Sequence, residues 1–354
     1  MNANPIVVED LQRIAAADLP WEVLAGSHVL VTGAAGFLPA YMVETILHVN
    51  TITARQPATV TCLVRNADKA QKRFAAYSGR ADLRFVVQDV CDPLAEIARA
   101  DFIVHAASNA SPKFYGADPV GTITANVIGT RNVLELARAR SSAGVLFFSS
   151  GEVYGQVDDA HIPTRESDYG IVDPTDVRSC YAESKRLGET LCVSYAHQYG
   201  VPVKIVRPFH TYGPGMAMDD GRVFADFVAN IVNRTNIVLR SDGSARRAFC
   251  YLADAVAGFF TVLLRGAAGQ AYNIGNPGAE IGIAELASLL VGLYPERDLN
   301  IVQESQSAAG YIASKIVRNS PDISKANALG WKPWTTIADG FSRTIRSIEF
   351  GDHS

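Results

Sequence analysis

Cysteine is scarce and scattered: Cys62, Cys91, Cys180, Cys192 and Cys250 form no CxxC pair and no metal-knuckle spacing. Their odd number and wide separation speak against a disulfide framework and read as reduced thiols in a cytoplasmic protein. None of the seven histidines pairs with another at metal-ligand spacing, so no metal site is expected. Long apolar runs are also missing. The stretch 255–264 stops at Arg265, short of the roughly 18 residues a membrane helix needs. The start, MNANPIVVEDLQRIAAADLPWEV, has no basic opening before an apolar core and carries acids throughout, so it does not read as a signal peptide. A cationic excess is absent too. The 32 Lys and Arg stand against 36 Asp and Glu, for a net charge of −4 and a pI near 6.0, which offers no field for a nucleic-acid backbone. Internal repeats and low-complexity segments do not occur.

What is present is an ordinary globular composition, 48% hydrophobic and 19% charged over 354 residues. That length suits one large α/β domain with a smaller second lobe. Nearly continuous apolar runs at 28–32, 59–66, 83–90, 101–108, 144–150 and 201–208 alternate with helical stretches, best seen at 119–139 and 181–199. Such runs suit parallel strands buried on both faces, and the alternation predicts a doubly wound sheet. A leader helix is expected over 7–24, giving a division into 1–26, 27–208 and 209–354. In the last part the alternation fades into isolated strands at 236–243, 271–278 and 300–304, while residues near 250–265 are expected to pack back on the main sheet.

Gly33, Ala35, Gly36, Phe37 and Leu38 follow the first strand directly and open a helix. Glycines there let the backbone approach a pyrophosphate, whose charge the helix N-terminus favours. Pro39 stands where a third glycine is usual. At the end of the second strand, Arg65 with Lys69, Lys72 and Arg73 reads either as a 2′-phosphate site, hence NADP, or as a solvated helix face. Asp89 can hold an adenine amino group. Further on, Tyr181 and Lys185 stand four apart on one helix face, behind Ser149 and Ser150 at a strand end. A lysine so placed is expected to lower the phenol's pKa, so that Tyr181 takes a hydroxyl proton while a nicotinamide takes hydride.

With these motifs the chain resembles the extended short-chain dehydrogenase/reductases, NAD-dependent epimerases and dehydratases of nucleotide sugars, over about 27–335. The stretches SNASPKFY (108–115), GEVYG (151–155), VRSCYAESKRLGETL (177–191) and HTYGPGMAMDDGRVFADFV (210–228) are similar to those of UDP-glucuronate decarboxylases. The resemblance implies a Rossmann domain over 27–208, a C-terminal lobe binding a UDP-linked sugar, resident NAD, and a homodimer built on the helices at 119–139 and 181–199. Membranes and nucleic acid are not expected partners. Ser150 is then the hydroxyl-holding serine, Tyr181 the base and Lys185 the ribose-binding lysine. Val90, Ala106, Ala107, Ser108, Asn126 and Pro208 join the cofactor set. Lys113, Tyr115, His210, Arg222, Arg247, Tyr251 and Arg318 are implied on the substrate side, Arg318 close to the position of a carboxylate-binding arginine.

The implied reaction oxidises C4 of glucuronic acid, which puts a ketone β to the carboxylate so that carbon dioxide can leave. Glu152 is expected near C5, orienting the acid or returning a proton, or else bonded to a backbone amide. Gly151, His210 and Gly215 depart from the family pattern. Gly151 cannot donate a proton, which disfavours 4,6-dehydration. A 4-epimerase, an NADP-dependent ketosugar reductase and a non-catalytic nucleotide-binding protein remain as other readings. His105, inside an apolar strand, is expected to be a satisfied core residue.

Overall fold

The computed structural model describes residues 4–304 and 316–352. Seven parallel strands form the central sheet: β1 (His28–Thr32), β2 (Thr59–Val64), β3 (Leu83–Val87), β4 (Phe102–His105), β5 (Gly144–Phe148), β6 (Val203–Pro208) and β7 (Ala271–Ile274). Their order is β7-β6-β5-β4-β1-β2-β3. The order reverses between β1 and β4, which leaves a crevice at their carboxyl ends. β4 and β5 are buried along their whole length, whereas the edge strand β3 exposes Phe85 and Val87. Covered faces explain the unbroken apolar runs.

Several strands are shorter than their runs. The 83–90 and 101–108 runs stop pairing at Val87 and His105, and the leftover residues bend into the crevice. The 236–243 and 300–304 runs shrink to Ile237–Leu239 and Ile301–Gln303, which pair with each other. The 271–278 run gives β7, which extends the main sheet beside β6.

Seven helices are used below: α1 (Pro5–Ala15), α2 (Phe37–Ile52), α3 (Ala67–Arg73), α4 (Thr130–Arg140), α5 (Ser179–Tyr199), α6 (Leu252–Arg265) and α7 (Ile337–Asp352). The 119–139 helix is continuous, running from Pro119 through a π-turn at Ala125–Gly129 into α4. α6 lies on β5 and β6. The leader is not one helix over 7–24. α1 ends at Ala15 and a separate 3-10 turn follows at Trp21–Leu24, because Pro20 has no N–H to donate and disfavours helical backbone before it. No helix among the described residues is long and apolar enough to cross a membrane.

One buried polar cluster ties both chain ends to the core. Asp10 on α1 is fully buried and accepts from Tyr41 Oη at 2.8 Å and Tyr251 Oη at 2.6 Å, while Arg343 on α7 reaches it at 2.7 Å. This corrects the expectation for Tyr251, whose hydroxyl is committed to a core carboxylate instead of a substrate diphosphate.

Candidate active site

The crevice at the switch point is a cleft of 460 Å³. One end begins where β1 gives way to Gly33, at φ +66. A Cβ at that position would stand 2.8 Å from Ala107 Cα, so both backbone conformation and close approach demand glycine. Gly36 caps α2, and Pro39 lies in the first turn, where an N–H has no helical partner to lose. Ala35, Phe37 and Leu38 complete this wall, with Val90, Ala106, Ala107, Ser108 and Pro208 from the neighbouring strand ends.

Arg65 lines the same end, 4.0 Å from Asp89 Oδ2, and donates to Asn109 Oδ1 at 3.2 Å. Of the basic run behind it, Lys69 lines the same cleft, whereas Arg73 turns away to the buried Glu44 at 3.0 Å. Below the cleft, His105 stands between Thr32 Oγ1 at 2.8 Å and Thr130 Oγ1 at 3.0 Å. Burial pulls its pKa down to about 3, so it is the satisfied core residue expected.

At the middle of the cleft β5 ends in Ser149 and Ser150. Ser149 Oγ donates to Glu189 Oε1 at 2.5 Å. Ser150 caps the turn Gly151–Tyr154, accepting from Glu152 N at 3.1 Å, and lines the cleft beside Tyr181. Tyr181 and Lys185 occupy successive turns of α5, and the Lys185 ammonium is 5.8 Å from the Tyr181 ring centre. Lys185 Nζ donates to Phe148 O at 2.6 Å. Burial raises the Tyr181 pKa to about 12, with the Glu152 charge adding and the Ser150 hydroxyl and the Arg222 charge opposing. Burial also lowers Lys185 to about 7. The expectation that Lys185 depresses the phenol is therefore corrected: desolvation dominates at both groups and weakens the ammonium itself.

Tyr115 stacks on Tyr181 with ring centres 5.0 Å apart and planes at 17°, its hydroxyl donating to Ala110 O at 3.0 Å. Glu152 lines the cleft and pairs with Arg178 at 3.4 Å, which replaces the expected backbone-amide alternative. Gly151 faces Phe209, whose ring would be 3.3 Å from a Cβ there. His210 and Arg222 also line this end. Burial drives His210 well below its ordinary pKa, with Arg247 and Arg222 adding to the effect, so its ring is neutral. Arg222 Nε is bonded to Asp220 Oδ2.

Four further candidates do not line the cleft. Asn126 is fully buried and donates to Ser184 Oγ at 2.9 Å; its neighbour Ala125, one step round the π-turn, lines the cleft. Lys113 pairs with Asp219 at 3.1 Å. Arg247 donates to the carbonyls of Arg246, Val317 and Ile316. Arg318 is held by Glu280 at 2.7 Å, and the next residue, Asn319, lines the cleft. Adjacent residues of an extended strand point to opposite faces, so a one-residue offset is enough to exchange a guanidinium for an amide. Asn319 and Arg178 were missed as site residues. Arg178 carried a usable signal, since it lies three residues before Tyr181 in the VRSCY stretch.

The residues present fit a dinucleotide. The Gly33–Gly36 turn leaves backbone open beside a helix N-terminus, and the buried Ser108 Oγ on the cleft wall has no hydrogen-bond partner among the described residues.

Residues 29–275 match the NAD-dependent epimerase/dehydratase family. A UDP-glucuronic acid decarboxylase of Arabidopsis thaliana is 36% identical, the match covering 88% of this chain and 86% of that protein. A dTDP-glucose 4,6-dehydratase from Streptomyces venezuelae, solved with NAD, is 28% identical with a TM-score of 0.76, covering 91% of this chain and 96% of that one. A UDP-glucuronic acid 4-epimerase from Bacillus cereus shares the fold at 21% identity and a TM-score of 0.77, covering 91% of this chain and 99% of that one.

Proposed function

Since the chain belongs to the NAD-dependent epimerase/dehydratase family, we propose that it is a nucleotide-sugar decarboxylase that converts UDP-glucuronate through a 4-keto intermediate to UDP-xylose or its 4-keto form. The observation that carries this reading is the similarity to UDP-glucuronic acid decarboxylases over 88% of the chain, 36% identity over 314 residues, joined to a cleft that sets Ser150, Glu152, Tyr181 and Lys185 together. Bound NAD supplies the hydride acceptor at C4 and later the hydride donor. Gly33, Gly36 and Ser108 hold its diphosphate side, Arg65 and Asp89 its adenosine side, and Lys185 its nicotinamide ribose.

Ser150 fixes the C4 oxygen, and Tyr181 takes its proton in the phenolate form, which the positive charge of an oxidised nicotinamide beside the ring would favour over the burial that opposes it. Once C4 is a ketone, the C5–C6 bond breaks, its electron pair passes into an enolate, and carbon dioxide leaves. Glu152 stands to return a proton to C5. Arg222 and the neutral His210 serve the nucleotide diphosphate and sugar. Residues 27–208 form mainly the cofactor half and 209–354 mainly the sugar half.

A second reading, C4 epimerisation of the same substrate, is favoured by Arg318 being held on Glu280 while the uncharged Asn319 faces the cleft. The NADP-dependent reductase reading is weakened by the Asp89 carboxylate beside Arg65. Homodimerisation is supported by apolar side chains left exposed on the two helices expected to pair, Val120, Ile123, Leu187 and Val193. A cytoplasmic location is supported by five free thiols.

The test is incubation with UDP-glucuronate and NAD, with sugar protons followed by NMR and carbon dioxide measured. Release of carbon dioxide with a pentose product supports decarboxylation. Formation of UDP-galacturonate without gas selects epimerisation, and an untouched substrate rejects both.

A further inference from the structure

The two cations expected to meet a sugar acid are engaged away from the cleft, Lys113 by Asp219 and Arg318 by Glu280. One position after Arg318 the cleft wall carries an uncharged amide instead. The short strand Arg318–Asn319 runs parallel to Arg246–Ala248, with Asn319 beside Arg247. That pairing decides which of two neighbours faces inward: Arg318 turns out to Glu280, and Asn319 lines the cleft. Two residues further on, Pro321 closes on Gly275, where a Cβ would stand 2.7 Å from the proline and 3.0 Å from Phe209. Phe209 in turn faces Gly151, the residue between Ser150 and Glu152. Asn319 therefore belongs to the sugar end, on the flank of the wall that carries Ser150 and Glu152. Its Oδ1 is buried and has no hydrogen-bond partner among the described residues. An amide sets an acceptor and a donor side by side, so whichever way it is turned, one of them is left for a ligand.

We propose that Asn319 is a specificity-determining residue of this active site, reading the group attached to C5 of the sugar by hydrogen bonding and without an ion pair. The inference rests on UDP-glucuronate as the substrate, which decarboxylation and epimerisation share. With the C4 oxygen held at Ser150, the substituent on the next ring carbon lies toward the wall that Asn319 completes. An amide N–H donates to a carboxylate oxygen, and the amide as a whole serves a hydroxymethyl group equally well, giving to its oxygen or accepting from its hydroxyl. A pentose presents nothing at that place. Asn319 thus separates sugars that carry a C5 substituent from those that do not, and leaves the choice between acid and alcohol to other groups.

The experiment is calorimetric binding of UDP-glucuronate, UDP-glucose and UDP-xylose to the NAD-loaded protein, with Tyr181→Phe as the background so that no ligand turns over. Asn319→Leu, close in size but without polar atoms, is expected to weaken UDP-glucuronate and UDP-glucose by about tenfold each, the loss of one hydrogen bond. UDP-xylose should bind as before, which also shows that the cleft is intact. Equal losses for all three ligands overturn the proposal, because Asn319 then supports the wall or meets the nucleotide. An unchanged affinity for all three overturns it as well. Asn319→Asp sharpens the test, since a second negative charge should weaken UDP-glucuronate at least about tenfold more than UDP-glucose. Equal losses for those two would place the acid group away from residue 319 and sink the assignment. If the protein binds UDP-glucose and UDP-xylose but not UDP-glucuronate, the decarboxylase reading falls, while the comparison of glucose with xylose still decides the role of Asn319.

Discussion

The two ends of the cleft are built by different means. At the dinucleotide end the wall is mostly backbone and small side chains: Gly33, Ala35 and Gly36 from one turn, Ala106, Ala107 and Ser108 from the next strand end. At the sugar end it is made of long side chains already bonded to protein partners, Glu152 with Arg178 and Arg222 with Asp220. A backbone cradle is set by chain direction and needs no partner. A side-chain wall depends on which of several neighbours each charged group meets first, so its occupancy cannot be settled locally.

The largest expected effect tests the group between the two ends. Tyr181→Phe should cut kcat by about 10²–10⁴-fold, as loss of a positioned acid–base group does, with little change in NAD binding. Retained turnover would take the proton-transfer role away from Tyr181. At the dinucleotide end, Gly33→Ala forces a Cβ into the Ala107 backbone at a positive φ, and strain of about 1–3 kcal/mol is expected. Calorimetry should show weakened NAD binding or a lower melting temperature. If neither changes, that wall is softer than its geometry implies.

Lys185 offers a smaller effect of defined sign. Its folded pKa is about 7 against about 10.4 in an unfolded chain, so the unfolded state binds more protons between those values and stability rises with pH across that window. Lys185→Met should flatten that rise in melting scans, and an identical slope would show that the ammonium is not desolvated. The smallest effects belong to Lys113→Ala and Arg318→Ala. Lys113 is exposed and Arg318 half-buried, and both are engaged by protein carboxylates, so KM for the sugar nucleotide should stay within about twofold. A tenfold rise for either would place it in the working site after all and erase the contrast between the two ends.

Much of the fold was legible because its signals are short-range. Apolar runs marked six of the seven central strands, and the seventh, β7, was visible as a strand without its sheet. The leader was misread as one helix, since 3.6-residue spacing continues past the residue where Pro20 interrupts it. In the site, the residues defined by a turn or a helix repeat lay where spacing put them: Gly33, Gly36, Ser150, Tyr181 and Lys185 all line the cleft. Those defined by resemblance on irregular segments did not fare as well. Asn126 differs from Ala125 by one step of a π-turn and Arg318 from Asn319 by one strand position, offsets that motif matching does not resolve.

By itself the sequence determined the parallel sheet, the glycine turn, the Tyr181–Lys185 helix face and the absence of a cationic surface, because each follows from residue type and spacing along the chain. The tertiary structure alone decided that Tyr251 serves the Asp10 cluster, that Lys113 and Arg318 are neutralised outside the cleft, that burial governs the Tyr181 and Lys185 protons, and that Arg178 meets Glu152. Those outcomes depend on desolvation and on contacts between residues far apart in sequence, quantities that exist only once the chain has folded.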